Sequence, residues 1–132
     1  MALNTREEFV MNGNNYLLDT NIIVYALKGI PSITPYLEGD CFISVVTEIE
    51  IIGVAGLGKR ELSIRQAAID YCTIIPLTNT IKNEAIRLKQ QFKIKLPDAI
   101  IAATALVEGY TLITADKGFK KFSLLQLILV NP

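Results

Sequence analysis

The chain has 132 residues, 51% of them hydrophobic and 20% charged, with 13 basic residues against 13 acidic ones and no histidine. That is about one domain's length, enough to bury roughly two-thirds of the surface the unfolded chain exposes, and the composition excludes a disordered chain. Zero net charge excludes a protein held to nucleic acid by bulk charge. The lack of histidine excludes His-based triads, His-pair ribonuclease chemistry and His-ligated zinc, so acid–base or metal chemistry must rest mainly on carboxylates.

Residues 1–14 hold Glu7 and Glu8 and no apolar stretch of the kind a signal peptide needs. They are predicted as an N-terminal extension before a single domain over 15–132. Tyr16-Leu-Leu-Asp19 is a short apolar run ending in an acid, the pattern of a buried strand. Thr20 to Lys28 comes next with helical spacing and is stopped by Gly29 and Pro31. Ser32 to Leu37 is predicted as a short helix, Cys41 to Ile43 as a second strand, and Ser44 as the N-cap of a helix reaching about Val54. Glu61 to Tyr71 is predicted helical and Thr73 to Pro76 a third strand. Thr78 to about Lys93 carries Ile81, Ala85, Leu88 and Phe92 on one helical stripe. Pro97 suits the first turn of a helix over Asp98 to Glu108 that Gly109 ends. Tyr110 to Ile113 is a fourth strand and Leu127 to Val130 a fifth.

Short apolar strands alternating with helices imply a three-layer α/β/α domain around a short parallel sheet of four or five strands. Cys41 and Cys72 border apolar runs and lack metal-ligand spacing, so they read as small hydrophobes in a reducing, cytoplasmic protein. No apolar stretch approaches the ~20 residues of a membrane span. In such sheets ligands bind beyond the carboxyl ends of the strands, where the strand order reverses. Asp19 closes the first strand, Asp116 lies just past the fourth, Glu50 stands in the helix after the second, and Asp98 sits in a first helical turn. Each has an ordinary reading by itself, as an N-cap, a turn residue, a solvated charge or a complement to a helix dipole. Several carboxylates meeting at one edge would repel each other and raise their pKa values. A divalent cation removes that cost, and oxygen donors without His or Cys favour Mg²⁺ or Mn²⁺.

Four stretches, YLLDTNIIVYAL (Tyr16 to Leu27), ISVVTEIEIIG (Ile43 to Gly53), LPDAIIAATAL (Leu96 to Leu106) and LITADKGF (Leu112 to Phe119), resemble the PIN-domain family, close to its VapC-type toxins. The resemblance spans about Tyr16 to Val130. It implies an acidic site of Asp19, Glu50, Asp98 and Asp116 acting as catalytic groups and metal ligands, with Asn21 and Thr114 supporting them. Glu50 rather than Glu48 matches the family pattern, and the two stand about 200° apart on a helix. Gly118 departs from relatives that carry Asp there. The resemblance further implies a Mg²⁺-dependent endoribonuclease cutting single-stranded regions of RNA as the toxin of a toxin–antitoxin pair, with a cognate antitoxin and a homodimer.

Residues 1–80 hold 5 basic and 9 acidic groups, and residues 81–132 hold 8 basic and 4 acidic. Lys93 and Lys95 before Asp98, and Lys117 after Asp116, are candidate contacts to RNA phosphates. The aromatic residues read mainly as core, with base stacking an alternative for Tyr25 or Phe119. The apolar face of Ile22, Ile23, Ala26 and Leu27, with Ile33 and Leu37, reads as either core or interface. Two other functions compete: a Mg²⁺-dependent phosphatase or phospho-acceptor domain, disfavoured because Asp19-Thr-Asn21 is not Asp-x-Asp, and a non-catalytic adaptor, disfavoured by the presence of all four acids.

Overall fold

The computed structural model describes residues 15–132; the N-terminal extension expected over residues 1–14 lies outside the described residues. Five strands, β1 (Tyr16–Leu18), β2 (Cys41–Ser44), β3 (Thr73–Ile75), β4 (Thr111–Thr114) and β5 (Leu127–Leu129), form one sheet in the order β3-β2-β1-β4-β5. All four pairings are parallel. The chain builds outward from β1 to β3, then returns to the other side of β1 for β4 and β5. The strand order therefore reverses between β1 and β4.

Helices cover both faces: α1 (Thr20–Leu27), α2 (Val45–Ile52), α3 (Lys59–Asp70), α4 (Asn79–Gln91) and α5 (Leu96–Glu108), with 3₁₀ segments at Pro31–Leu37 and Lys117–Lys121. Successive strand residues point to opposite faces. Leu17 and Leu112 accordingly pack with α4 and α5 through Ile81, Leu88 and Ile101, whereas Leu18 and Ile113 pack with Ile22, Ile23, Ile51 and Ile69. The second group absorbs the face from α1 onward. Ile22, Ile23 and Ile33 are buried and belong to the core, and the half-buried Ala26, Leu27 and Leu37 pack against them. The exposed large apolar side chains lie elsewhere, among them Ile49 on α2, 61% exposed, with Leu62 and Ile64 on α3. Helix α5 is buried continuously from Ala99 to Ala105, which its run of small residues permits. Cys41 and Cys72 are free thiols in the apolar layer, and burial pushes the Cys72 thiol up to about 12.

Local chemistry sets the helix ends. The Ser44 side chain accepts from Val46 N–H and starts α2, and Thr78 accepts from Ile81 N–H at α4. Gly109 ends α5 at φ 72°, a left-handed cap that a side chain would strain. Three boundaries differ from the sequence expectation. Ser32 to Leu37 is 3₁₀ rather than α because Pro35 lacks an amide donor in its middle. Helix α2 stops at Ile52, where Gly53 N–H closes on the Ile49 carbonyl at 2.7 Å. Helix α3 begins at Lys59, its first turn held by Leu62 N–H donating to the Gly58 carbonyl.

Candidate functional site

Leu18 pairs with Ile113, so the chain leaves β1 and β4 side by side where the order reverses. Asp19 N–H donates to the Ile113 carbonyl at 3.0 Å, which fixes Asp19 one residue past the sheet. Its side chain is held from three directions. Thr20 N–H donates to Oδ1 at 2.8 Å, the Thr114 hydroxyl to Oδ2 at 2.6 Å, and Asn21 Nδ2 to Oδ2 at 3.3 Å. Thr114 Oγ1 also accepts from Asp116 N–H at 3.0 Å, and Asn21 Oδ1 accepts from Ala115 N–H at 3.4 Å. The Asp116 carboxylate turns back on its own loop and accepts from Gly118 N–H at 2.8 Å. One hydroxyl and one amide thus lock the loop after β4 to the turn after β1.

Helix α2 joins through hydroxyls. Thr20 Oγ1 donates to Glu50 Oε1 at 2.6 Å. A hydroxyl has one proton, so the Thr47 hydroxyl, 3.0 Å away, donates to Thr20. Glu50 is thereby aimed at the β1 edge from an exposed position, and Glu48 takes no part in the network.

Burial pushes the Asp19 carboxyl up; the bonds from Thr114 and Thr20 oppose this, and the charges of Asp98 and Asp116 add to it. Asp98, in the first turn of α5 behind Pro97, is also raised, first by burial and then by Asp116 and Glu50, with Lys95 and Lys121 opposing. The four predicted acids therefore share one electrostatic site. Their packing is looser than four carboxylates around one point: among the described residues, no three acidic side chains are grouped closely enough to hold an ion together. Joint direct ligation needs a side-chain rearrangement or bridging water. The donors themselves are all oxygens, from carboxylates, hydroxyls and an amide. Two of the carboxyls are penalised by like charge, which a hard divalent cation offsets.

Of the predicted basic residues, Lys93 and Lys95 line a cavity of about 250 Å³ that Asp98 and Asp116 also line. Lys117 does not line it; Lys121 does. Phe119 is 2% exposed, which removes it as a base-stacking surface, and Tyr25 packs against the apolar layer. Sequence reasoning missed Thr20, which was readable as the middle of Asp-Thr-Asn directly after an N-cap acid. Of the three lysines that follow Asp116 in the sequence, Lys117, Lys120 and Lys121, it is Lys121 that reaches the cavity.

A family model for the PIN domain matches residues 16–124. Ribonuclease VapC1 of Rickettsia felis is 32% identical over 129 residues, covering 87% of this chain and 96% of that protein. The structure of VapBC2 from Rickettsia felis bound to a DNA fragment from its promoter superposes with a TM-score of 0.72 at 27% identity, covering 89% of this chain and 99% of the other. A toxin–antitoxin complex from Klebsiella pneumoniae gives 0.74 at 30% identity, with 86% and 95% covered.

Proposed function

The chain belongs to the PIN-domain family, and on that basis we propose that it is a divalent-metal-dependent endoribonuclease, cutting single-stranded regions of RNA in the cytoplasm as the toxin of a toxin–antitoxin pair. The observation that carries this reading is the coupling of Asp19, Glu50, Asp98 and Asp116 at the β1–β4 switch, on a chain without histidine. A relative named as a ribonuclease and neighbours solved as toxin–antitoxin complexes support the substrate class and a cognate antitoxin partner. The chain is taken to act as a homodimer.

The residues divide the work. Asp19 is the fixed point, held in one orientation by Thr20, Asn21 and Thr114. Asp116 and Asp98 present carboxylates from the neighbouring loop and helix, and Glu50 adds a third element through its bond from Thr20. Together they would hold Mg²⁺ or Mn²⁺. When bound, such an ion supplies a water of lowered pKa and neutralises charge on the phosphoryl oxygens. With water as the attacking group no 2′-hydroxyl is needed, and the products carry 5′-phosphate and 3′-hydroxyl ends.

Cleavage of an unstructured RNA by the purified chain with Mg²⁺, Mn²⁺ or EDTA, with analysis of the product ends, tests this. Metal-dependent cutting with 5′-phosphate ends is expected. Cutting in EDTA, or 2′,3′-cyclic phosphate ends, overturns the mechanism.

A further inference from the structure

The α4–α5 loop and the 3₁₀ segment after β4 meet through one bond, in which Lys121 Nζ donates to the Lys93 carbonyl at 2.6 Å. The Lys121 ammonium stands 5.7 Å from the centre of the Phe122 ring, and that ring packs edge-on against Phe92 at 4.9 Å. A long surface side chain is thereby fixed in place. An ammonium has three N–H groups, so after this bond two remain.

The bond joins two of the residues that line the cavity of about 250 Å³ beside Asp98 and Asp116, whose lining includes Lys93, Lys95 and Lys121. Among the described residues the ion pairs are Arg65–Glu61 and Arg87–Glu84, so none of these lysines is spent on a carboxylate. At Gly118 an added Cβ would lie 3.0 Å from Asp116 Oδ1; glycine there leaves the wall beside that acid open. The volume falls below the roughly 300–1,000 Å³ of sites that enclose a whole small molecule. It matches a phosphodiester group with its sugar, part of a polymer that continues outside.

We propose that this cavity is the subsite for the phosphodiester linkage adjacent to the cleaved one, with Lys121 and Lys95 as its positioning residues. The proposal rests on the RNA-cleaving reading and deepens it. Lys121 both shapes the subsite and presents N–H donors to a phosphate. Lys95 contributes its charge. Both also lie within electrostatic reach of Asp98, so a phosphate held between them is delivered beside the acidic site.

The test compares Lys95→Gln and Lys121→Gln with Lys120→Gln, an exposed lysine on the same segment that does not line the cavity. The substrate is an RNA oligonucleotide that the wild-type chain cleaves at a mapped bond. A second version carries an uncharged methylphosphonate one linkage to either side of that bond. Expected is a KM about tenfold higher for each subsite variant, as for loss of a charged hydrogen bond, with kcat within about twofold and Lys120→Gln silent. The slope of log K against log salt falls by about 0.7 for each subsite variant, one phosphate contact on a single strand. On the methylphosphonate RNA that removes the same contact, the variants equal the wild type. An equal loss in Lys120→Gln, or an equal loss on both RNAs, overturns the subsite while leaving the nuclease reading intact. A wild-type chain that cleaves no RNA with either metal overturns the nuclease reading and the subsite with it.

Discussion

Thr114→Val removes one hydroxyl at constant shape from a side chain that is fully buried. The hydroxyl donates to the Asp19 carboxylate at 2.6 Å and accepts from Asp116 N–H. A hydrogen bond to a charged group contributes about 1.5–3 kcal/mol, and the deeply buried acceptor places this one toward the upper half, about 2–3 kcal/mol. At about 2.1 cal/mol/K of unfolding entropy per residue, a chain of 132 residues loses roughly 3.5 °C of Tm per kcal/mol, or about 7–11 °C in all. The effect has a definite pH signature. Asp19 already titrates above its ordinary value, and the Thr114 bond holds it down. Without that bond its pKa rises further. The variant's deficit is therefore complete at pH values above both pKa values, where Asp19 is ionised in both proteins, and narrows as pH falls through the variant's pKa and then the wild type's. If ionised Asp19 is required for cleavage, the acid limb of the rate profile moves to higher pH. Thermal melts at several pH values and pH–rate profiles of wild type, Thr114→Val and Thr114→Ser measure both effects, with Ser close to wild type. An unchanged Tm, or a deficit that does not vary with pH, refutes the reasoning.

Three further outcomes are expected. Asp98→Asn removes a charge that Asp116 and Glu50 oppose, so without metal at neutral pH its Tm equals or exceeds that of the wild type; a clearly lower Tm contradicts the repulsion. For the wild type, Mn²⁺ at about 100 times its dissociation constant adds about 2.7 kcal/mol of stability, read as a rise in Tm that Asp98→Asn shows weakly or not at all. Gly109→Ala places a side chain at φ 72° with open space around it, so backbone strain alone costs about 1–2 kcal/mol, roughly 4–7 °C of Tm, with cleavage per folded molecule unchanged.

The elements were legible where local chemistry decides them. An apolar run closed by Asp19, a serine cap at Ser44, a threonine cap at Thr78 and the Pro97–Gly109 pair each carry a physical signal of a few residues. The rule for parallel sheets placed Asp19 and Asp116 at the carboxyl edge, while the strand order that sets them on neighbouring strands at the reversal came from the structure. Contacts between distant segments were not legible. The bond of Thr20 to Glu50 spans 30 residues and that of Lys121 to the Lys93 carbonyl 28, and no periodicity encodes either. The fate of Ile22, Ile23 and Ile33 was equally non-local, because Ile51 and Ile69 had to arrive from α2 and α3 to bury them. The looser grouping of the acids has the same origin: spacing puts carboxylates at an edge, while rotamers and neighbouring lysines set the distances.

Mn²⁺ binding by isothermal titration calorimetry, on wild type, Asp19→Asn and Glu48→Gln, tests the central claim most directly. One or more Mn²⁺ ions should bind to the wild type and to Glu48→Gln with matching affinity, and Asp19→Asn should lose that binding while keeping its far-ultraviolet dichroism. Equal affinity in folded Asp19→Asn would contradict the account, since the ion would then sit away from the β1–β4 edge.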